Sequence, residues 1–393
     1  TMSTLKVGGI RGVSASSDAI TVANDGTASA KLTSINDGQL SGFRNLLING
    51  AMTVNQRVTN HATTNSFNPV TSSIYTLDRW KVMNGSSFDT DSAKVLKSTN
   101  SPDGFSSSMK WEIGNTETPA SNQNCGIEQK IEGQNLQGLA YGTSSAKTMT
   151  LSFHVRSNKT GTYCVHIMQE DGTKYQMHEY TINSSNTWEK KTITIVGNTT
   201  NAINDDNTTG IRIIWVLTVG SGDHLAATST WASGGDLGGT SNQVNLWDNG
   251  SNEWYLTGCQ LEIGEAATEY EHRSFGHELQ LCQRYYDQSY TYGTRTGTVT
   301  TVGAYVYSLP GSQTYAAVPS IRFTQPMRAV PTVTSFSTVN ADTTGKMSAD
   351  GTDKDLAIHY ISDKGCFPFV NNSSSGISTN VFLRFQYKAD AEL

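Results

Sequence analysis

The run WEKKTITIV at residues 188–196 alternates polar and apolar side chains, with Ile193 and Ile195 on one side and Thr192 and Thr194 on the other. A period of two fits an extended strand with one buried face. Runs at 77–82, 107–113, 148–155, 163–168 and 211–219 read the same way. Threonine-rich alternation favours half-buried antiparallel sheet, and connections rich in Asn, Ser, Gly and Thr supply the turns. Many such strands over residues 43–272 predict a two-sheet sandwich of jelly-roll type.

Composition removes several classes of function. Of the 393 residues 16% are charged, and the net charge is −6. That balance repels phosphate and no basic run offsets it, so no nucleic-acid partner is expected. The 16 Tyr, 12 Phe and 7 Trp offer too much surface for burial to leave the chain disordered. Glu, Lys, Leu and Ala do not dominate as they would in a coiled-coil rod. No stretch approaches the ~18 apolar residues of a membrane span. The beginning, TMSTLKVGGIRG, lacks the apolar core of a secretion signal. Cys125, Cys164, Cys259, Cys282 and Cys366 are widely spaced and form no CxxC pair, which reads as reduced thiols made in a cytoplasm.

Residues 1–42 contain no aromatic side chain. Ordering such an arm costs more entropy than its own apolar surface returns, so it needs a core borrowed from copies of itself or from a docking partner. Further on, Ser274 precedes Phe275, Leu279, Cys282 and Tyr286 at helical spacing. This predicts a connecting helix with Ser274 as its N-cap and Glu278 in its first turn. Alternation then returns. The expected organisation is all-β: an extended N-terminal arm for attachment and oligomerisation over 1–42, a large jelly-roll β-sandwich over 43–272, a connecting helix and linker over 273–297, and a second, smaller C-terminal β-sandwich over 298–393.

No catalytic motif stands out. HExxH, GxSxG and GxxxxGK[ST] are all missing from the sequence. Asp89 with Asp91, Asp205 with Asp206, and the group Glu262, Glu265, Glu269 and Glu271 read as turn or strand-end acids, since glycoside hydrolysis needs two carboxyls facing each other across a groove. His166 and His178 read as packing residues rather than a metal pair. No enzymatic activity and no cofactor are expected; a structural Ca²⁺ is the one metal left open. The better site is aromatic. Sugars lay their apolar faces on rings while amides and carboxylates bond their hydroxyls. The Gly-rich stretch over 220–255 interleaves Trp231, Trp247, Trp254 and Tyr255 with Asp236, Asn242, Asn245, Asp248 and Asn249. The expected glycan contacts are Trp231, Trp247, Asp248, Asn249 and Tyr255; the competing reading has the tryptophans plug the sandwich edge. Trp80, Trp111, Trp188 and Trp215 lie in alternating runs and read as core.

The segments RNLLINGAMTVNQR at 44–57 and YTLDRW at 75–80 resemble the start of a jelly-roll module found in virion proteins of tailed bacteriophages, especially those of marine cyanobacteria. LTGCQLEIG at 256–264, ATEYEHRSFG at 267–276 and ELQLCQRYY at 278–286 resemble its end. MRAVPTV at 327–333 and YKADAEL at 387–393 complete the pattern, and STLKV at 3–7 with DAITV at 18–22 resembles the attachment arm of such fibre proteins. The resemblance spans nearly the whole chain. It implies a carbohydrate-binding-like sandwich in a tail fibre or head-attached fibre. Such a protein is made in the host cytoplasm and displayed on the virion. It assembles as a homotrimer, is held to other virion proteins through residues 1–42, and adheres to host-surface glycans without entering a membrane. It implies no catalytic residue. A capsid or tail decoration or adaptor protein without receptor binding is the alternative, and a glycan depolymerase is a third reading.

Overall fold

The computed structural model describes residues 9–10, 20–22, 24, 28–30, 44–57, 74–85, 93–234, 237–309, 315–371 and 381–393. Most of the arm, together with Asp89, Asp91 and Asp236, lies outside them. Within the arm, β1 (Gly9–Ile10), β2 (Ile20–Val22) and β3 (Ala28–Ala30) pair in that order as a small antiparallel sheet.

The large sandwich is built from β4 (Lys81–Gly85), β5 (Lys94–Ser98), β6 (Ser108–Glu112), β7 (Asn124–Glu132), β8 (Met149–Ser157), β9 (Gly161–Gln169), β10 (Lys174–Ile182), β11 (Glu189–Ile195), β12 (Thr209–Val219), β13 (Thr228–Ser233) and β14 (Glu253–Ile263). A six-stranded sheet runs β13-β10-β9-β12-β7-β4 and a five-stranded sheet β11-β8-β14-β6-β5, and the pairs are antiparallel. The chain crosses between the sheets repeatedly, as a jelly roll requires. Alternation decides which residues meet: Ile193 and Ile195 are buried, whereas Thr192 is exposed and Thr194 is exposed. Ile127, Val165, Ile213, Leu151 and Leu256 fill the space between the sheets. Trp80 and Trp215 pack there with ring centroids 5.4 Å apart.

The connecting helix α1 (Phe275–Gln283) begins at Ser274, whose side chain accepts from the His277 backbone N–H at 3.4 Å. It is shorter than the helical spacing predicts. Tyr286 belongs instead to β15 (Tyr286–Gln288), which pairs with the last strand of the chain. Sheet pairing outcompetes local periodicity at this point.

The C-terminal region forms a second sandwich from β16 (Tyr305–Leu309), β17 (Tyr315–Ala317), β18 (Ile321–Arg322), β19 (Thr332–Phe336), β20 (Lys346–Ala349), β21 (Thr352–Asp355), β22 (Ala357–Ser362), β23 (Gly365–Asn371) and β24 (Val381–Asp390). One sheet gathers β15, β16, β19 and β20 on β24, with β21 beyond β20; the other gathers β17, β18 and β22 on β23. Leu309, Ile321, Met347, Val370, Leu383 and Phe385 are its core.

A buried polar junction ties the two sandwiches together. Arg57 reaches Asp390 at 3.3 Å and Glu392 at 3.0 Å, and Arg79 also pairs with Glu392. The two guanidinium groups lie over aromatic faces, Arg57 3.8 Å from the Tyr286 ring centre and Arg79 3.5 Å from that of Tyr285. Arg284 and Tyr285 both donate to Glu132. Arg328 donates to the carbonyls of Asn207, Ala391 and Glu392. Burial alone would push the Glu132 carboxyl up, but these donors bring it below the ordinary carboxylate value. Arg57, Arg79, Arg284, Tyr285, Arg328, Asp390 and Glu392 all come from segments that carry the sequence resemblance, so those segments help to join the modules.

Candidate functional site

The five expected contact residues do not form one site. A short 3₁₀ turn, Leu246–Asp248, is opened by Asn245, whose side chain accepts from the Trp247 N–H. It drives Trp247 into the core, with 0% of its surface exposed and its ring edge-on to Trp111 at 5.8 Å. That ring is core and has no face to offer a ligand; Trp254, also 0% exposed, is likewise core. Trp231, on edge strand β13, is half-buried against the sandwich interior. Its Nε1 donates to the Val196 carbonyl at 2.7 Å and it meets the Tyr141 ring at 5.8 Å. Asp248 pairs with Lys159 and accepts from Asn252 at 2.8 Å. Asn249 accepts from the Ser251 N–H at 2.9 Å. These two exposed side chains hold a turn. Tyr255 points away from the core, one step along β14 from the inward Trp254.

Three of the acidic candidates, Glu262, Glu271 and Asp206, are also committed. Glu262 accepts from Thr268 within the end of the module, and Glu271 accepts from the backbone N–H groups of Arg44 and Asn45, which fastens the start of the module to its end. Asp206 accepts from Thr208 within a turn. His166 lies opposite Met177 in the β9–β10 ladder, so His178, the next residue, projects from the other face of the sheet. Among the described residues no group of three or more His, Cys, Asp or Glu side chains converges to hold a metal.

What the fold does assemble is a polar-aromatic surface on the outer face of the five-stranded sheet. Tyr255 stands between Arg156 of β8 and Lys110 of β6 in the ladder. The Arg156 guanidinium lies 4.8 Å and the Lys110 Nζ 5.4 Å from its ring centre, a geometry that favours cation–π attraction. Only 3% of Tyr255 is exposed under these two side chains. Trp188 packs edge-on against it at 6.0 Å and donates from Nε1 to the Asn100 Oδ1 at 3.1 Å. Lys110 bridges Glu112 at 2.5 Å and Glu253 at 2.8 Å, and the Tyr255 hydroxyl donates to Glu253 at 2.8 Å. Burial would lower the Lys110 ammonium and raise the Glu253 carboxyl. The bonds to Glu112 and Glu253 outweigh this for Lys110, and those from Lys110 and Tyr255 for Glu253, holding the first above and the second below its ordinary value.

A second group of rings lies on the same sheet face. Phe105 is 5.2 Å from His154, 5.0 Å from Tyr270 and 5.3 Å from His272, ring centre to ring centre. A bulge in β14 makes this possible. Gly258 has φ 61°, and a Cβ there would sit 2.7 Å from Phe105 and 2.8 Å from the His154 Nδ1. Burial lowers the His154 pKa, and Lys190 adds to the effect against the opposing pull of Glu269. Trp188 and Phe105 remain partly exposed and His272 is exposed. The result is a shallow surface of fixed rings bordered by amide, guanidinium, ammonium and carboxylate groups. It suits stacking and hydrogen bonding to a neutral polyol.

Trp188 is the residue that reading the tryptophans as core misses, and its signal lies in the sequence. Ile193 and Ile195 place the odd positions of β11 inside, so position 188 falls on the outer side with Lys190, Thr192 and Thr194.

No protein-family model matches the chain, and no curated protein matches it. Solved structures similar to parts of it include the following three. The enzymatically active domain of bacteriophage CBA120 tailspike protein 4 has 12% identity and a TM-score of 0.29 over 56% of this chain and 21% of the tailspike. The xylan-binding domain from CBM 22 has 14% identity and a TM-score of 0.27, over 48% of this chain and 90% of that domain. TmCBM61, solved with β-1,4-galactotriose, has 12% identity and a TM-score of 0.27, over 57% of this chain and all (100%) of that one. Overlaps of this extent assign neither a ligand nor an activity.

Proposed function

We propose that this protein is a phage virion fibre that adheres to host-surface glycans through the outer face of its five-stranded sheet. One observation carries the binding reading: Trp188 is partly exposed on that face, with its ring orientation fixed by the Asn100 hydrogen bond and the Tyr255 edge contact. A ring held in place before the ligand arrives loses little entropy on binding. The amide and charged groups beside it provide partners for sugar hydroxyls.

The fibre reading is supported by the resemblance of the segments at 44–57, 256–286 and 387–393, and by an N-terminal arm without aromatic residues. On this reading the arm, through residues 1–42, attaches to other virion proteins. The chain acts as a homotrimer, whose weak sites combine through avidity, and it performs no catalysis.

Binding of the full chain to a glycan array and to host cells tests this. Trp188→Ala is expected to weaken glycan binding about tenfold, equivalent to ~1.4 kcal/mol, with an unchanged melting temperature. A wild-type chain that binds no glycan and no host envelope at high concentration would point instead to a decoration protein. Shortened polysaccharide chains after incubation would point to a depolymerase.

A further inference from the structure

The C-terminal sandwich displays an aromatic ring at a conformational cost. The β22–β23 pairing is interrupted by a bulge between His359 and Ser362, and Tyr360 within it has φ 49°. A left-handed backbone costs a non-glycine residue about 1–2 kcal/mol, and burial of the side chain would normally offset that. Here 87% of Tyr360 is exposed. Backbone strain of this kind persists where the surrounding structure imposes it, and it clusters at ligand sites.

Tyr360 forms one wall of a shallow, open pocket of about 320 Å³ shared with Ser320, Arg322, Ser362 and Phe367. The Phe367 ring lies behind it, 6.2 Å away and tilted by 50°. Arg322 is exposed on the short strand β18, directly opposite Gly365 in the ladder. Among the described residues its side chain has no ion-pair partner, and it stands exposed at the pocket edge. It also borders a second shallow pocket with Ser289, Tyr305 and Thr324. A guanidinium fork binds planar or tetrahedral anions. A projecting ring selects a flat apolar face. Serine hydroxyls complete the set.

We propose that this pocket binds an anionic sugar residue, with the pyranose face on Tyr360 and its acidic group on Arg322. This inference rests on the glycan-adhesion reading but concerns a different module and a different ligand chemistry. The anion can be a uronate carboxylate or a sulfate ester, and both are carried by surface polysaccharides.

The test measures binding of the full chain to immobilised polygalacturonate, dextran sulfate and neutral dextran. Wild type should prefer one or both acidic polymers to neutral dextran by at least about tenfold, and which one it prefers identifies the anion. Arg322→Gln and Tyr360→Ala should each remove most of that preference, and Arg322→Gln should also flatten its salt dependence. Both substitutions are at exposed positions, and unchanged melting temperatures would confirm that the variants fold. Trp188→Ala should keep the preference intact, because it alters only the first sandwich. Equal binding to acidic and neutral polymers, or undiminished acidic binding in both pocket variants, overturns the proposal. Loss of the acidic preference in Trp188→Ala also overturns it, by moving that binding to the other module while leaving adhesion standing.

Discussion

His166 is fully buried, and neither ring nitrogen has a hydrogen-bond partner among the described residues. Met177 and Ile214 flank it in the ladder, the Tyr175 ring lies 5.3 Å away and the Arg212 charge is nearby. Burial, reinforced by Arg212, pushes its pKa down to about 3. The sign of the linkage follows. The unfolded chain binds this proton near pH 6.5 and the folded chain does not. The His166 contribution to stability is therefore complete above about pH 6.5 and is lost progressively as pH falls towards 3. Denaturant titrations of His166→Leu should show a shallower loss of stability over that window, the difference reaching the order of a few kcal/mol. Parallel profiles for the two proteins would contradict the assignment. Two tryptophans make a second contrast at this scale. Trp247→Ala should cost about 3–5 kcal/mol by opening a cavity, whereas Trp188→Ala should cost little stability and mainly affect binding. Position parity in β11 makes the exposure of Trp188 legible in the sequence. Nothing comparable announces the burial of Trp247, which depends on a 3₁₀ turn after an irregular segment.

The β14 bulge is the element on which the candidate surface depends. Replacing Gly258 by Ala combines an unfavourable positive φ with contacts to Phe105 and His154 below 3 Å. A loss of about 1–3 kcal/mol is expected, together with chemical-shift changes at the Phe105 and His272 rings. An unperturbed aromatic spectrum would show that the ring cluster does not rely on the bulge. For helix α1, Ser274→Ala should cost about 0.5–1 kcal/mol, the lower part of the range for a cap, because its capping bond is long. Existence and cap of this helix follow from the sequence; its end does not. Periodicity continues through Tyr286, but β24 claims that residue as a strand partner. Long-range pairing of this kind leaves no local trace.

Across the whole molecule, the junction decides whether the two sandwiches unfold together. Arg79 is 1% exposed and shares Glu392 with Arg57. Arg79→Ala leaves the buried carboxylate half-compensated and Tyr285 without its cation, and the expected cost is about 3–5 kcal/mol. Calorimetry should then resolve one transition for each sandwich, whereas a single coupled transition is expected of the parent. A single transition shifted as a unit would mean that other contacts carry the coupling. The strands and the division into two β-sandwiches follow from alternation. How they dock does not, because the partners in this network are separated by hundreds of residues, as in the 313-residue gap between Arg79 and Glu392.

The five cysteines are all buried and unpaired with one another, and burial raises each thiol pKa above its ordinary value. Native protein should thus resist alkylation, and any labelling that occurs must pass through an opened state. The distribution of the thiols turns this into a map. Cys125, Cys164 and Cys259 lie in the first sandwich, Cys282 in the helix and Cys366 in the second sandwich. Mass spectrometry of alkylated peptides would then read opening of each module as a separate clock, with Cys366 timing the sandwich that carries Tyr360.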